Sequence, residues 1–138
     1  MIVLDTNIIS EMMKPAPATK VMAWIDAQDI TQLYISATTI AEITYGLVVL
    51  ADGKRRRFLE ELFEKAIHEG FKERILDFDE SAAHLYGIIM GRRKESGHPM
   101  SILDGQIAAI ACANDSILAT RNIKDFQNCN LELINPFK

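Results

Sequence analysis

Residues 2–9, Ile2-Val3-Leu4-Asp5-Thr6-Asn7-Ile8-Ile9, decide the reading of the chain. The three leading apolar residues are too few for a buried helix but suit a strand covered on both faces. The acid that follows stands where the strand ends and where a helix carrying Ile8, Ile9 and Met12 begins. In open α/β sheets ligands bind beyond the carboxyl ends of the strands. Asp5 thus stands where chemistry is done in such folds. It suits an N-cap equally well, because its carboxylate can accept from the free amides of the first helical turn.

Working outward, short apolar runs of the same kind recur at 33–36, 75–78, 117–119 and 131–134. Between them the apolar residues fall at helical spacing. Val21, Trp24, Ile25 and Gln28 follow Pro17, and Phe58, Leu59, Leu62, Phe63, Ala66 and Ile67 run up to Gly70. Ala82, Ala83, Tyr86, Ile89 and Met90 open at Asp79 and close near Gly97-His98-Pro99, and Ile107, Ala108, Ile110 and Ala111 follow Ser101. Strands alternating with helices predict an α/β three-layer fold, a central parallel sheet flanked by helices. The stretch 39–51 differs. Ile40, Ala41, Ile43, Tyr45, Leu47, Val48, Val49 and Leu50 go most of the way round, which suits either deep core or half of a subunit interface.

A chain of 138 residues makes one domain, read here over 1–138, and is large enough to fold without disulfide or metal. With 25% charged residues and only 7 Gly and 4 Pro, disorder and collagen-like repeats are excluded. Cys112 and Cys129 are too few for a disulfide framework and lack the spacing of a zinc or thioredoxin motif. The apolar run at residues 1–4 has no basic flank and is too short for a secretory signal. No run approaches the ~20 residues of a membrane span. The expectation is a cytoplasmic protein with no membrane partner. Fifteen Lys and Arg stand against 19 Asp and Glu, a net charge of −4. Bulk attraction therefore does not hold a nucleic acid here, and a polyanion needs a local basic patch or a bound cation.

Four acids stand at predicted element ends: Asp5, Glu42, Asp104 and Asp125. Each has a structural explanation. Asp5 suits a cap, residues 39–42 and 101–104 both fit the capping box, and Asp125 suits a turn after Asn122. Gathered on one edge, however, the four would repel one another, an arrangement proteins tolerate mainly to hold a hard cation such as Mg²⁺ or Mn²⁺. Ala108 and Ala111 continue the Asp104 face and would let that helix approach the sheet, bringing Asp104 towards Asp5, although alanine is also simply a good helix former.

Leu4-Asp5-Thr6-Asn7, Glu42 in its apolar helix, residues 103–109 (Leu-Asp-Gly-Gln-Ile-Ala-Ala), and residues 118–122 (Leu-Ala-Thr-Arg-Asn) with Asp125-Phe126 after them, taken in that order, resemble the PIN-domain nucleases. Within these the chain is most similar to VapC/FitB-type toxins of toxin–antitoxin pairs, over essentially its whole length. The resemblance implies a Mg²⁺- or Mn²⁺-dependent endoribonuclease in which a metal-activated water hydrolyses RNA phosphodiester bonds. Asp5, Glu42, Asp104 and Asp125 match the family's acidic cluster, with Asp5 and Asp104 its principal metal ligands. Thr6, Asn7 and Thr120 match supporting polar positions near the metal or its water. The implied substrates are tRNA or rRNA. The implied partner is a small cognate antitoxin whose C-terminal segment covers the cleft, with DNA bound only indirectly through the antitoxin.

Lys14, Arg121 and Lys124 follow the acidic segments and are the candidate RNA contacts. The run Lys54-Arg55-Arg56-Arg57 either grips phosphate or pairs with Glu60 and Glu61 as Arg56–Glu60 and Arg57–Glu61. Arg92, Arg93 and Lys94 either do likewise or complement a helix C-terminus. His98 stands where relatives carry arginine and reads as a turn residue or an RNA contact. The apolar stretch 39–51, with the basic run beyond it, suggests a homodimer. Two other functions were weighed. A phosphatase or phosphotransfer domain on a similar sheet wants a second Asp two positions after the first, where this chain has Asn7. A non-catalytic adaptor would have no need of four intact acids.

Overall fold

Strand β1, Ile2–Leu4, is the middle of a five-stranded parallel sheet in the computed structural model, which describes residues 1–138. The remaining strands are β2 (Leu33–Ser36), β3 (Ile75–Leu76), β4 (Ile117–Ala119) and β5 (Leu133–Ile134), in the spatial order β3-β2-β1-β4-β5. β3 and β5 hold two residues each, shorter than the runs 75–78 and 131–134 predict, because only those residues find a ladder partner on the neighbouring strand. After β3 the chain crosses back over β1 and β2 to β4, so the order reverses beside β1. That is the switch point at which open α/β sheets bind ligands.

Six helices cover the sheet: α1 (Thr6–Met12), α2 (Thr19–Asp26), α3 (Ala37–Val48), α4 (Lys54–Lys65), α5 (Glu80–Glu95) and α6 (Ile102–Ala113). The alternation of a strand sorts β1 between two cores. Ile2 and Leu4 join Ile8, Val21, Ile43 and Phe63 on one face, and Val3 joins Ala82, Ile89, Ile107, Ile110 and Phe126 on the other. No helix is long and apolar enough to cross a membrane.

Three local expectations are corrected. Helix α3 begins at Ala37 rather than Thr39, because Ser36 at the very end of β2 caps it and accepts from the Thr39 amide at 3.0 Å. Residues 39–42 are therefore not its capping box. The stretch 39–51 is neither wholly core nor wholly surface. Ile43 and Leu47 are buried, whereas Tyr45, Val48 and Val49 are 71%, 54% and 62% exposed. Finally, Arg56 pairs with Glu60 at 2.9 Å as expected, but Arg57 turns back to Asp52 at 3.8 Å instead of reaching Glu61.

Helix α6 lies close to α5 and the sheet. Ile107, Ala108, Ala109, Ile110 and Ala111 are all fully buried. A Cβ at Gly105 would stand 2.5 Å from the Met90 sulfur and 3.0 Å from the Tyr86 ring of α5, so a side chain there would push the Met90 side chain aside.

Candidate active site

The strand register brings the first site residues together. Leu4 pairs with Ala119 on one side and Ile35 on the other, so the next residues, Asp5, Thr120 and Ser36, emerge side by side at the carboxyl edge. Asp5 is 3% exposed and Thr120 fully buried. Asp5 caps α1 by accepting from the Thr6 amide at 2.8 Å through Oδ1, while Oδ2 accepts from the Thr120 hydroxyl at 2.7 Å and from Asn7 Nδ2 at 3.3 Å. The structural and functional readings of Asp5 are thus compatible: one oxygen caps the helix while the other lies within the site. Thr120 Oγ1 in turn accepts from the Asn122 amide at 3.0 Å, which fixes the loop after β4.

A row of hydroxyls carries the edge to Glu42. Ser36 Oγ donates to Thr39 Oγ1 at 3.2 Å, Thr39 and Thr6 share a 3.0 Å contact, and Thr6 Oγ1 donates to Glu42 Oε1 at 2.9 Å. Asp104 stands in the first turn of α6, whose cap, Ser101, accepts from the Asp104 amide at 3.2 Å. Thr38 Oγ1 donates to Gln106 Oε1 at 3.0 Å and ties α3 to α6 one turn further on.

Asp5, Glu42 and Asp104 line one cleft of about 370 Å³ that has no apolar residue in its wall. Thr6, Asn7, Lys14 and Arg121 also line it, as do Ser10, Glu11 and Asn122, which the sequence reading did not single out. Glu11 is 6% exposed and fully engaged, accepting from Lys14 Nζ and the Ala18 amide, both at 2.9 Å. An acid three residues before a lysine reads as a surface pair, and only the return of the chain at Ala18 buries it. Asp125 and Lys124 are not in this cleft. They lie in a 3₁₀ turn, Ile123–Phe126, and line the neighbouring groove. The acids therefore do not all converge on one point, although the Asp125 charge still reaches Asp104. His98 is exposed in the turn after α5, with its ring 2.9 Å from the Ser96 carbonyl. Arg93 is buried and donates to the carbonyls of His98 and Gln127, so it braces that turn and grips no phosphate.

Burial dominates the electrostatics. It pushes the Asp5 carboxyl from 3.8 up to about 6, against the lowering effect of the Thr120 and Thr6 donors, and the charges of Asp104 and Glu42 add to the rise. Burial also raises Asp104, opposed by the Ser101 hydroxyl and supported by the charge of Asp125. Glu11 is lowered, first by Lys14 and then by the Ala18 amide. The donor set, all carboxylate and hydroxyl oxygen, suits a hard cation. No three Asp, Glu, His or Cys side chains stand close enough to enclose an ion. That is compatible with Mg²⁺, which is held by one or two carboxylates and keeps several waters.

A model of the PIN domain family matches residues 2–129. The chain is 43% identical over all of its 138 residues to VapC ribonuclease Y4jK of Sinorhizobium fredii, covering 99% of that protein. It is 39% identical over 137 residues to toxin FitB of Neisseria gonorrhoeae, with 99% of each chain covered. The solved structure of FitAB bound to the IR36 DNA fragment contains a chain that superposes with a TM-score of 0.94 at 38% identity, over 100% of this chain and 96% of that one.

The raised Asp5 carboxyl has a stability signature. Between pH 4 and 6 the folded chain keeps the proton that the unfolded chain has lost, so stability falls as pH rises through that window and stays lowered above it. At about 1.4 kcal/mol per unit the penalty is on the order of 3 kcal/mol. Asp5→Asn keeps an acceptor for the Thr6 amide and removes the charge. In metal-free buffer it is expected to melt several degrees above the wild type at pH 7.5 and no higher at pH 4. A variant that melts below the wild type at pH 7.5 contradicts this and leaves Asp5 as a cap alone.

Proposed function

The chain belongs to the PIN domain family, and on that premise we propose that it is a metal-dependent endoribonuclease of the toxin class. The observation that carries the proposal is the wholly polar cleft at the switch point, with Asp5, Glu42 and Asp104 in its wall. Asp5 and Asp104 would hold the Mg²⁺ or Mn²⁺. Such a cation, when bound, binds phosphate oxygens and makes a water acidic enough to attack phosphorus.

The other groups position the reaction. Thr120 and Asn7 fix the Asp5 carboxylate, and Thr6 aims Glu42. As the bond from water to phosphorus forms, the water loses a proton and the ester oxygen leaves. Glu42, which accepts from the Thr6 hydroxyl, would take that proton, and the leaving oxygen would be protonated from solvent. Lys14 and Arg121 at the cleft rim meet the phosphate backbone. Asp125 acts through its charge on Asp104. In this reading the chain works in the cytoplasm on tRNA or rRNA and is held inactive by a small antitoxin. A basic side chain of that antitoxin lies among the carboxylates, and the pair meets DNA through the antitoxin. That the similar FitAB complex is bound to a DNA fragment supports a partner and an association with DNA.

The test is cleavage of RNA by protein freed of any antitoxin. Cleavage is expected with Mg²⁺ or Mn²⁺ and is expected to stop in EDTA. Asp104→Asn should reduce it to background while far-UV dichroism stays unchanged. Undiminished cleavage in excess EDTA contradicts the metal-dependent chemistry.

We also propose a homodimer through the exposed face of α3, where Tyr45, Val48 and Val49 stand. Val48→Glu adds charge at an exposed position, unlike Leu47, which belongs to the core. It is expected to sediment as a monomer with unchanged far-UV dichroism and a melting temperature that no longer rises with protein concentration. A variant that remains dimeric, or a wild type that is monomeric, overturns this.

A further inference from the structure

A second groove continues from the acid cleft, running between the loop after β4 and the turn at residues 135–138. Arg121 and Asn122 line both spaces, so the two lie side by side. The Arg121 guanidinium lies 4.4 Å over the centroid of the Phe137 ring. Phe137 is half-buried and packs against the core on the Leu4 side of the sheet, while Arg121 is exposed. The layers therefore run from core to ring to guanidinium plane to solvent.

Both layers are tied to the acids. Asn7 Oδ1 accepts from the Arg121 amide at 3.2 Å, and the same side chain donates to Asp5 Oδ2 at 3.3 Å. Asn135 Nδ2 donates to the Arg121 carbonyl at 3.3 Å, and its Oδ1 accepts from the Phe137 amide at 2.9 Å. The stack thus stands at a fixed offset from the Asp5 carboxylate. Arg121, Lys124 and Lys138 make no ion pair, although the chain carries a net charge of −4, and Asp125 is the one acid in the groove wall.

We propose that this groove is the track for the single-stranded RNA on one side of the scissile bond, with one base stacked on the Arg121–Phe137 pair and the phosphates meeting Lys124 and Lys138. The proposal rests on the ribonuclease reading above and adds a binding element to it. Single-stranded RNA is held by bases stacking on aromatic rings or arginine planes above a basic groove, and stacking tolerates any base because every base has a π-face. An aromatic ring behind the guanidinium restrains it from the core side. A protein segment is the poorer occupant, because only Ile123 and Phe137 in the wall are apolar, and Phe137 is covered by Arg121.

The test is binding in divalent-free buffer of fluorescent 2′-O-methyl decamers, one of adenylates and one of abasic residues, followed by anisotropy. Wild-type protein is expected to bind the adenylate decamer about tenfold or more tighter, the range for one or two stacked bases. Arg121→Lys keeps the charge and loses the plane. It should weaken the adenylate decamer by about five- to tenfold and leave the abasic decamer unchanged. Phe137→Leu, with its fold checked by melting, should do the same. Lys124→Gln should weaken both decamers and reduce the salt slope by about 0.7, the value for one lost contact to a single strand.

Should Arg121→Lys bind the adenylate decamer as tightly as wild type, the stacking track is overturned and the ribonuclease reading stands. Loss of antitoxin binding in Arg121→Lys, with both decamers bound as by the wild type, overturns it in favour of a protein contact. An equal loss on both decamers makes Arg121 a forked clamp on phosphate with no base stacked on it, and overturns it too. A wild-type chain that binds neither decamer overturns the track, and the ribonuclease reading is then decided by the cleavage assay alone.

Discussion

A carboxylate placed out of water at the end of the central strand is the constraint on which the rest depends. Asp5 has three donors around it, and they do not offset its desolvation, as its raised pKa records. A fold with one apolar core would have little to set against such a group. This one has two, one on each face of β1, and their packing supports the polar edge between them. The polar cleft is thus the part of the molecule that lowers stability, which is expected where a site is shaped for a ligand and not for the fold.

The remaining acids are placed by devices that have no chemistry of their own. Hydroxyls from Ser36, Thr39 and Thr6 lead from the sheet edge to Glu42 and satisfy one another on the way. Asp104 stands on a helix whose buried face mixes Ile107 and Ile110 with Ala108, Ala109 and Ala111, and which has no side chain at Gly105 where it passes α5. Thr120 links the end of β4 to both Asp5 and the loop that carries Arg121. The acid cleft and the basic groove beside it are therefore one rigid assembly, not two neighbouring surfaces.

What could be read beforehand was what is local. A strand of three apolar residues followed by an acid and a helix is a pattern within nine residues, and Asp5 stands where it says. Ser101 before Asp104 is equally local. Glu42 lies in α3 as the sequence reads, but not in a capping box, since β2 runs into α3 without a loop and Ser36 caps the helix. Asp125 was grouped with the other acids because nothing in the sequence reveals that a 3₁₀ turn carries it to the next groove. Glu11 and Phe137 were missed for the same reason: one is buried by a chain return seven residues later, the other is stacked by a residue sixteen positions away. Whether 39–51 is core or surface depends on where α1 and α4 lie, and the answer divides the helix lengthwise.

The central claim is that the carboxylates of the cleft form a cation site and not merely a set of helix caps. It is tested most directly by melting the wild type, Asp5→Asn and Asp104→Asn with and without millimolar Mn²⁺ at pH 7.5. A ligand that binds only the native state raises stability as RT ln(1 + [L]/Kd). The account predicts a clear rise in melting temperature for the wild type and a much smaller one for each variant. An equal response in all three proteins, or no response in the wild type, would contradict it.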